Sequence, residues 1–262
     1  MQELEKRSKI RAGCVGWSYE DWVGPFYPPG SQPKDYLPFY STVFDTVEID
    51  STFYSSPNDW LVHRWREVSP NDFQFTVKIP ETITHEKRLR AYDAELTAFI
   101  SLLRGLQPKL RCLLAQMPPS FNYKDDFDAL SEFLRDDKEL RGDTKLAMEL
   151  RNTSFFRDET FDLFWENNVC FVWSVNQYTR DFPPRVTSDF LYVRFIGDRQ
   201  LTKFDRIQLN RTSILEESWR RISAVLDSVE EVFVFSNNHF AGFAPGTIRE
   251  FRNIAGISHV EK

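Results

Sequence analysis

Short runs rich in Val, Ile, Phe and Leu alternate along the chain with longer stretches whose apolar residues recur every three or four positions. That alternation predicts a parallel α/β fold, in which each strand hands the chain to a helix that covers the sheet. Eight β-type runs stand out: Ala12–Trp17, Phe44–Asp50, Phe73–Ile79, Leu110–Met117, Lys145–Arg151, Cys170–Val175, Phe190–Gly197 and Glu231–Asn237. Between them, helical stripes are formed by Trp60, Leu61, Trp65 and Val68; by Leu96, Phe99, Ile100 and Leu103; by Phe127, Leu130, Phe133 and Leu134; and by Trp219, Ile222, Leu226 and Val229. Each has polar residues on its other side, so each stripe is expected to pack on a sheet. The exception is Asn176–Asp189, where two prolines and no apolar period predict a loop in place of a helix.

Eight strands in a chain of 262 residues, with no linker or repeat, match the size and rhythm of a single (β/α)8 TIM-type barrel. The connection between the sixth and seventh strands is then irregular. A doubly wound open sheet is the alternative. Its dinucleotide form needs a glycine-rich turn after the first strand, and Gly13-Cys14-Val15-Gly16 runs into aromatics with no third glycine in place. One domain over residues 1–262 is expected.

Side chains alternate across a strand, so parity separates the helix-facing positions from the lumen. Val47 and Ile49 face out, which turns Glu48 and Asp50 inward; Phe75, Val77 and Ile79 leave Thr76 and Lys78 inside. Likewise Ala147, Glu149 and Arg151 share the inner face of the fifth strand, Tyr192 and Arg194 that of the seventh, and Gln116 closes the fourth. A barrel interior is normally filled by branched apolar side chains, so charges from several strands near their C-terminal ends mark the end where barrel enzymes keep their sites. Loops add Trp17, Ser18 and Tyr19, then Thr52, Phe53 and Tyr54, then Thr84 and His85, and finally Asn237, Asn238 and His239.

Charge and composition narrow the ligand. Lys+Arg of 33 against Asp+Glu of 39 gives a formal −6, and the isoelectric point is about 5.4, so no global positive field draws nucleic acid or acidic lipid. A mean hydropathy of −0.46 and short apolar runs predict no membrane span, and the charges in Met1–Arg11 do not suit a signal peptide; a cytoplasmic protein is expected. Cys14, Cys112 and Cys170 lie far apart in apolar runs and read as reduced core residues. Twenty-four Phe among the residues must fill a core or cover a binding surface.

Glu48, Lys78 and Glu149 are the candidate catalytic groups, with the carboxylates exchanging protons and Lys78 polarising the substrate. Asp50, His85, Gln116, Arg151, Tyr192, Arg194, Asn237 and Asn238 are candidate ligand-binding residues, with Trp17 and Tyr54 covering an apolar face. The competing reading is a structural network, since three carboxylates and three cations sum to zero. His85 and His239 are candidates for proton transfer or for ordinary hydrogen bonding, and His63 and His259 read as surface residues. Two facing carboxylates also fit glycoside hydrolysis, with Trp17, Trp22 and Tyr54 as sugar platforms. Ala244-Pro245-Gly246-Thr247 opens a helix that either offers N–H groups to a phosphate or is simply capped. No metal-ligand spacing is present, no metal is assigned, and the cofactor is left unknown.

The runs Gly13–Pro28, Val47–Pro57, Phe75–His85, Leu113–Phe121, Ala147–Arg151 and Val234–Asn238 resemble the successive signature blocks of the YecE-like family, domain of unknown function seventy-two. The resemblance implies a TIM-type barrel with a polar pocket at its C-terminal mouth. It names no reaction, and a likeness of such barrels to the endonuclease IV type implies nucleic acid as a second class of partner. Asp50 stands where the family often has asparagine, and Ile196-Gly197 where it shows a histidine-glycine pair. Three functions follow: an enzyme acting on a sugar, sugar phosphate or nucleotide; a nucleic-acid-binding or nuclease protein; and a non-catalytic sensor of small molecules.

Overall fold

All strands pair in parallel: β1 (Ile10–Cys14), β2 (Thr46–Ile49), β3 (Gln74–Lys78), β4 (Leu110–Gln116), β5 (Lys145–Glu149), β6 (Val169–Phe171), β7 (Trp173–Val175), β8 (Phe190–Phe195) and β9 (Glu231–Ser236). The computed structural model describes residues 7–176 and 182–257, apart from the side chains of 137–141. His259, residues 1–6 of the segment weighed as a leader, and residues 177–181 of the expected loop lie outside the described residues. Strands β2 to β6 form one ladder in chain order, and β7, β8, β9 and β1 form another.

Two joints turn the ladders into a ring. β6 and β7 are halves of one stave, parted at Val172, whose N–H donates to the Met148 carbonyl of β5 at 3.0 Å. The sequence run there looks continuous, so the break is a departure from the expected strand. At the other joint Val15 bridges Glu48 in parallel, and the Gly16 N–H donates to the Glu48 carbonyl at 2.8 Å. The result is a (β/α)8 barrel of eight staves.

That second joint depends on a helix residue. The Tyr40 hydroxyl accepts from the Cys14 N–H at 2.7 Å and donates to the Thr46 carbonyl at 3.0 Å, bridging β1 and β2 where their direct ladder is absent. Gly13 lets the strands approach, because a Cβ there would overlap the Thr46 carbonyl. Tyr40→Phe strands two buried backbone groups and is expected to lower stability by roughly 1–3 kcal/mol in urea unfolding. No measurable loss would show that the joint holds without the hydroxyl.

The helices α1 (Pro33–Val43), α2 (Asp59–Val68), α3 (Asp93–Leu103), α4 (Tyr123–Arg141), α5 (Asp158–Glu166), α6 (Thr212–Ser223), α7 (Asn238–Ala241) and α8 (Ala244–Ala255) occupy the connections. Their starts are written in short polar side chains. Asn58 accepts from the Leu61 N–H at the head of α2, Asn122 from the Asp125 N–H at the head of α4, and Asp35 reaches back to the Gln32 N–H at α1. Within α2, Val62 and Trp65 are buried but Trp60 is 70% exposed, so the expected stripe is narrower than the sequence pattern. The described part of the sixth-to-seventh connection has no helix; Thr187 ties it to β6, and the Trp173 indole donates to the Arg185 carbonyl at 2.9 Å.

Strand parity sorts the core in two. Outward residues such as Val47, Ile49, Val77, Met148, Val193 and Val234 join the helices in one large cluster. Inward residues Cys112, Leu114, Ala147, Cys170, Phe190, Tyr192, Phe233 and Phe235 form a second cluster plugging the lower lumen. All three cysteines are buried and free. Phenylalanine fills both clusters, which places most of its surplus in the core.

Candidate functional site

Above the apolar plug, the lumen is closed by a connected row of polar side chains. Arg194 grips Glu48 with two parallel bonds, Nε to Oε2 at 2.9 Å and Nη2 to Oε1 at 2.6 Å, and its Nη1 reaches Glu149 Oε2. The Tyr192 hydroxyl donates to Glu48 Oε2 at 2.8 Å and lies 2.8 Å from the Thr76 hydroxyl, while Arg151 Nε donates to Glu149 Oε1 at 2.7 Å. Glu48 and Glu149 are wholly buried, and Arg194 is 3% exposed. Burial pushes the Glu149 carboxyl up, but the charges and hydrogen bonds of Arg151 and Arg194 together outweigh it and hold the group at about 2. Burial opposes the charge on Arg194, and Glu48 and Glu149 more than restore it.

This row is the floor of a cavity of roughly 710 Å³ at the C-terminal ends of the strands. Asp50, Lys78, Gln116, Arg151 and Arg194 line it from the barrel, while Tyr54, Asp198, Arg199, Phe204 and His239 line it from the loops. Arg199 Nη2 donates to the Tyr54 hydroxyl at 3.2 Å, tying the loop after β8 to the loop after β2. The Phe204 N–H donates to Asp21 at 2.8 Å, and its ring stands edge-on to His239 and Tyr19.

Lys78 differs from the other barrel cations. Arg194 pairs with Glu48 and Glu149, and Arg151 pairs with Glu149 through Nε, but among the described residues Lys78 makes no ion pair; its Nζ lies 3.5 Å over the Phe53 ring. Burial is the main force lowering it to about 8, helped by Arg194 and resisted by Glu149 and Glu48. Beside it, burial and then the Lys78 and Arg151 charges lower His85 to about 4, so its ring is neutral at pH 7. Asp50 is shifted the other way, raised by burial and by Glu48. An amine lowered and a carboxyl raised from their ordinary values thus open on one cavity.

Several expected site residues sit elsewhere. Glu48, Glu149 and Tyr192 are inside the barrel as expected but beneath the cavity, and the two carboxylates are fixed by cations. Trp17 does not line it, since its indole packs edge-on against Trp65 at 5.5 Å; Trp22 is fully buried, donating to Asn238. His85 lies behind the wall, with Nδ1 2.9 Å from the Thr84 hydroxyl and Nε2 3.4 Å from Gln116 Nε2. Asn237 and Asn238 reach the lining, yet Asn237 Oδ1 caps α7 and accepts from Gly197 N–H, while Asn238 Oδ1 accepts from Trp22 and from the Ala244 N–H. The latter bond occupies the first N–H of α8, one of those that Ala244–Thr247 would offer to a phosphate. Asn238 Nδ2 and His239 Nδ1 are buried with no partner among the described residues. Tyr54 is 64% exposed at the rim.

Asp198, Arg199 and Phe204 were not foreseen. They occupy an irregular excursion between β8 and α6 that has no periodicity to orient them. Among the described residues no three His, Cys, Asp or Glu side chains gather as metal ligands would, and no helix is long and apolar enough to cross a membrane.

Barrel and cavity together define an α/β-barrel protein with a cavity at the C-terminal ends of its strands. The chain belongs to the family described as protein of unknown function DUF72, which it matches over residues 11–262. It is 32% identical to the UPF0759 protein YecE of Escherichia coli K12 over 147 residues, which are 56% of this chain and 50% of that protein. The chain thus spans about half the length of that relative. UPF0759 protein YunF of Bacillus subtilis is 26% identical, with 95% of this chain and 96% of that protein covered. A DUF72 family protein of Thermotoga maritima superposes with a TM-score of 0.80 at 27% identity, covering 94% of this chain and 99% of that one. A second, from Enterococcus faecalis, gives 0.78 at 21% identity over 95% and 96%, and shows the fold alone.

Proposed function

We propose that this protein is an enzyme that binds a small polar anion, such as a sugar phosphate or nucleotide, in the barrel mouth and moves a proton on it. The observation that carries the reading is the pairing, in one cavity, of a buried Lys78 that makes no ion pair among the described residues and an Asp50 whose carboxyl is raised above its ordinary value by burial and by Glu48. Four cations and two carboxylates line the cavity, and the carboxylates that balance Arg194 are not part of its lining, so the surface a ligand meets is positive. Arg151 and Arg199 hold the anion, Tyr54 covers an apolar part of it, and Lys78 and Asp50 exchange protons. Glu48 and Glu149, fixed by Arg194, position that cation and do not themselves transfer protons.

The test is thermal denaturation with a panel of sugar phosphates, nucleotides, small carboxylates and inorganic phosphate, with single- and double-stranded oligonucleotides as a separate arm. At least one small anion is expected to raise Tm, and Arg199→Ala is expected to weaken that rise at least fivefold in apparent affinity, about 1 kcal/mol. Stabilisation by oligonucleotides alone, steeply lost with salt, would move the assignment to nucleic acid.

A further inference from the structure

Lys78 stands at the C-terminal end of β3 on the face of Phe53, with the Phe53 ring in turn edge-on to His85 at 4.9 Å. A ring face holds the amine without offering it a carboxylate, and Lys78 is part of the cavity's lining. Among the described residues, the other strong bases that line the cavity are the guanidinium groups of Arg151, Arg194 and Arg199, which do not add to carbon at neutral pH. We infer that Lys78 is a covalent nucleophile that captures the carbonyl carbon of a small aldehyde or ketone carrying a carboxylate or phosphate, forming an imine within the barrel mouth. The inference rests on the anion-binding reading above and names the substrate class of that same site.

The chemistry balances without an added reagent. The neutral amine's lone pair forms the C–N bond as the carbonyl π pair moves to oxygen, and one of the nitrogen's two protons passes to that oxygen to give the tetrahedral carbinolamine. Loss of that oxygen as water, with Asp50 the proton donor, and release of the remaining N–H proton give the imine, which is protonated in use. The protonated imine draws electrons from the neighbouring carbon, so a C–H or C–C bond there is weakened. Arg151 and Arg199 are placed to hold the substrate's anionic end. A lysine at about 8 is neutral in roughly one molecule in ten at pH 7, against roughly one in several thousand for an ordinary lysine, a gain of more than 100-fold in reactive amine.

The experiment is reductive trapping on the whole chain. Glyoxylate or glyceraldehyde 3-phosphate is added at pH 7 with sodium cyanoborohydride, and modified lysines are located by peptide mass spectrometry. Lys78 is expected to carry at least ten times the label of Lys203, whose side chain is 74% exposed. That preference is expected to shrink at pH 10, where an ordinary lysine is neutral in roughly three molecules in ten, and when uncharged propanal replaces the anionic probes. Lys78→Arg, checked for folding by thermal denaturation, is expected to leave only the background on surface lysines. Lys78 labelled no more than Lys203 at pH 7 overturns the inference. If a small anion still raises Tm in that case, covalent capture falls and the binding site stands; if no anion does, both fall.

Discussion

Arg194→Met is expected to lower stability by roughly 3–5 kcal/mol, because it leaves two wholly buried carboxylates facing each other without their shared cation. The loss comes from uncompensated charge. Glu48 loses both prongs of a bidentate pair and, among the described residues, keeps the Tyr192 hydroxyl, while Glu149 retains Arg151. Adding Glu48→Gln and Glu149→Gln to the methionine variant removes those charges and is expected to restore at least half of the loss. Urea denaturation at pH 7 measures both differences. A single-variant loss under about 1 kcal/mol, or no recovery in the triple variant, would mean that the carboxylates find water or protons more easily than their burial allows.

The two readings weighed from sequence, a structural ion network and a ligand pocket, are both present, at different depths. Strand parity placed Glu48, Lys78, Glu149, Tyr192 and Arg194 in the lumen, because Val47, Val77, Met148 and Val193 leave no doubt about which face meets the helices. Parity is silent on height. One lumen layer separates an enclosed ion pair from a rim residue, and that height follows from the stagger between staves, which no single strand encodes. Hence Glu48 and Glu149 read like Asp50 in sequence yet lie beneath it. Loops carry no period at all, so Trp17 was expected at the mouth and is found against Trp65, while Arg199 gave no signal. The fold was legible for the same reason that the site was only partly so: periodicity survives in every regular element, whereas the Tyr40 bridge and the Val172 break depend on contacts between elements distant in the chain.

Lys78 reverses the usual relation between a conserved-volume substitution and stability, for Lys78→Met is expected to raise stability at pH 7 by about 1–3 kcal/mol. The folded protein holds this amine at about 8, against roughly 10.4 in the unfolded chain, chiefly because burial penalises its charge. Between those values the unfolded chain binds the proton and the folded one does not, so wild-type stability rises with pH across that window. Below about 8 both states are protonated, and the folded state carries the full penalty, about 3 kcal/mol for a shift of this size. Methionine fills much of the same volume without a charge to desolvate. Lys109 is also lowered by burial and contributes a slope of the same sign, so the diagnostic quantity is the difference between wild type and variant. That difference should be largest at pH 7 and should close toward pH 10, measured by urea denaturation at each pH. A variant less stable than wild type at pH 7, or a gap that does not narrow with pH, would show that Lys78 is held by favourable contacts as an ordinary cation. The expected gain in stability should come with loss of trapping at this position, because the same desolvation that destabilises the ammonium is what keeps a fraction of the amine reactive.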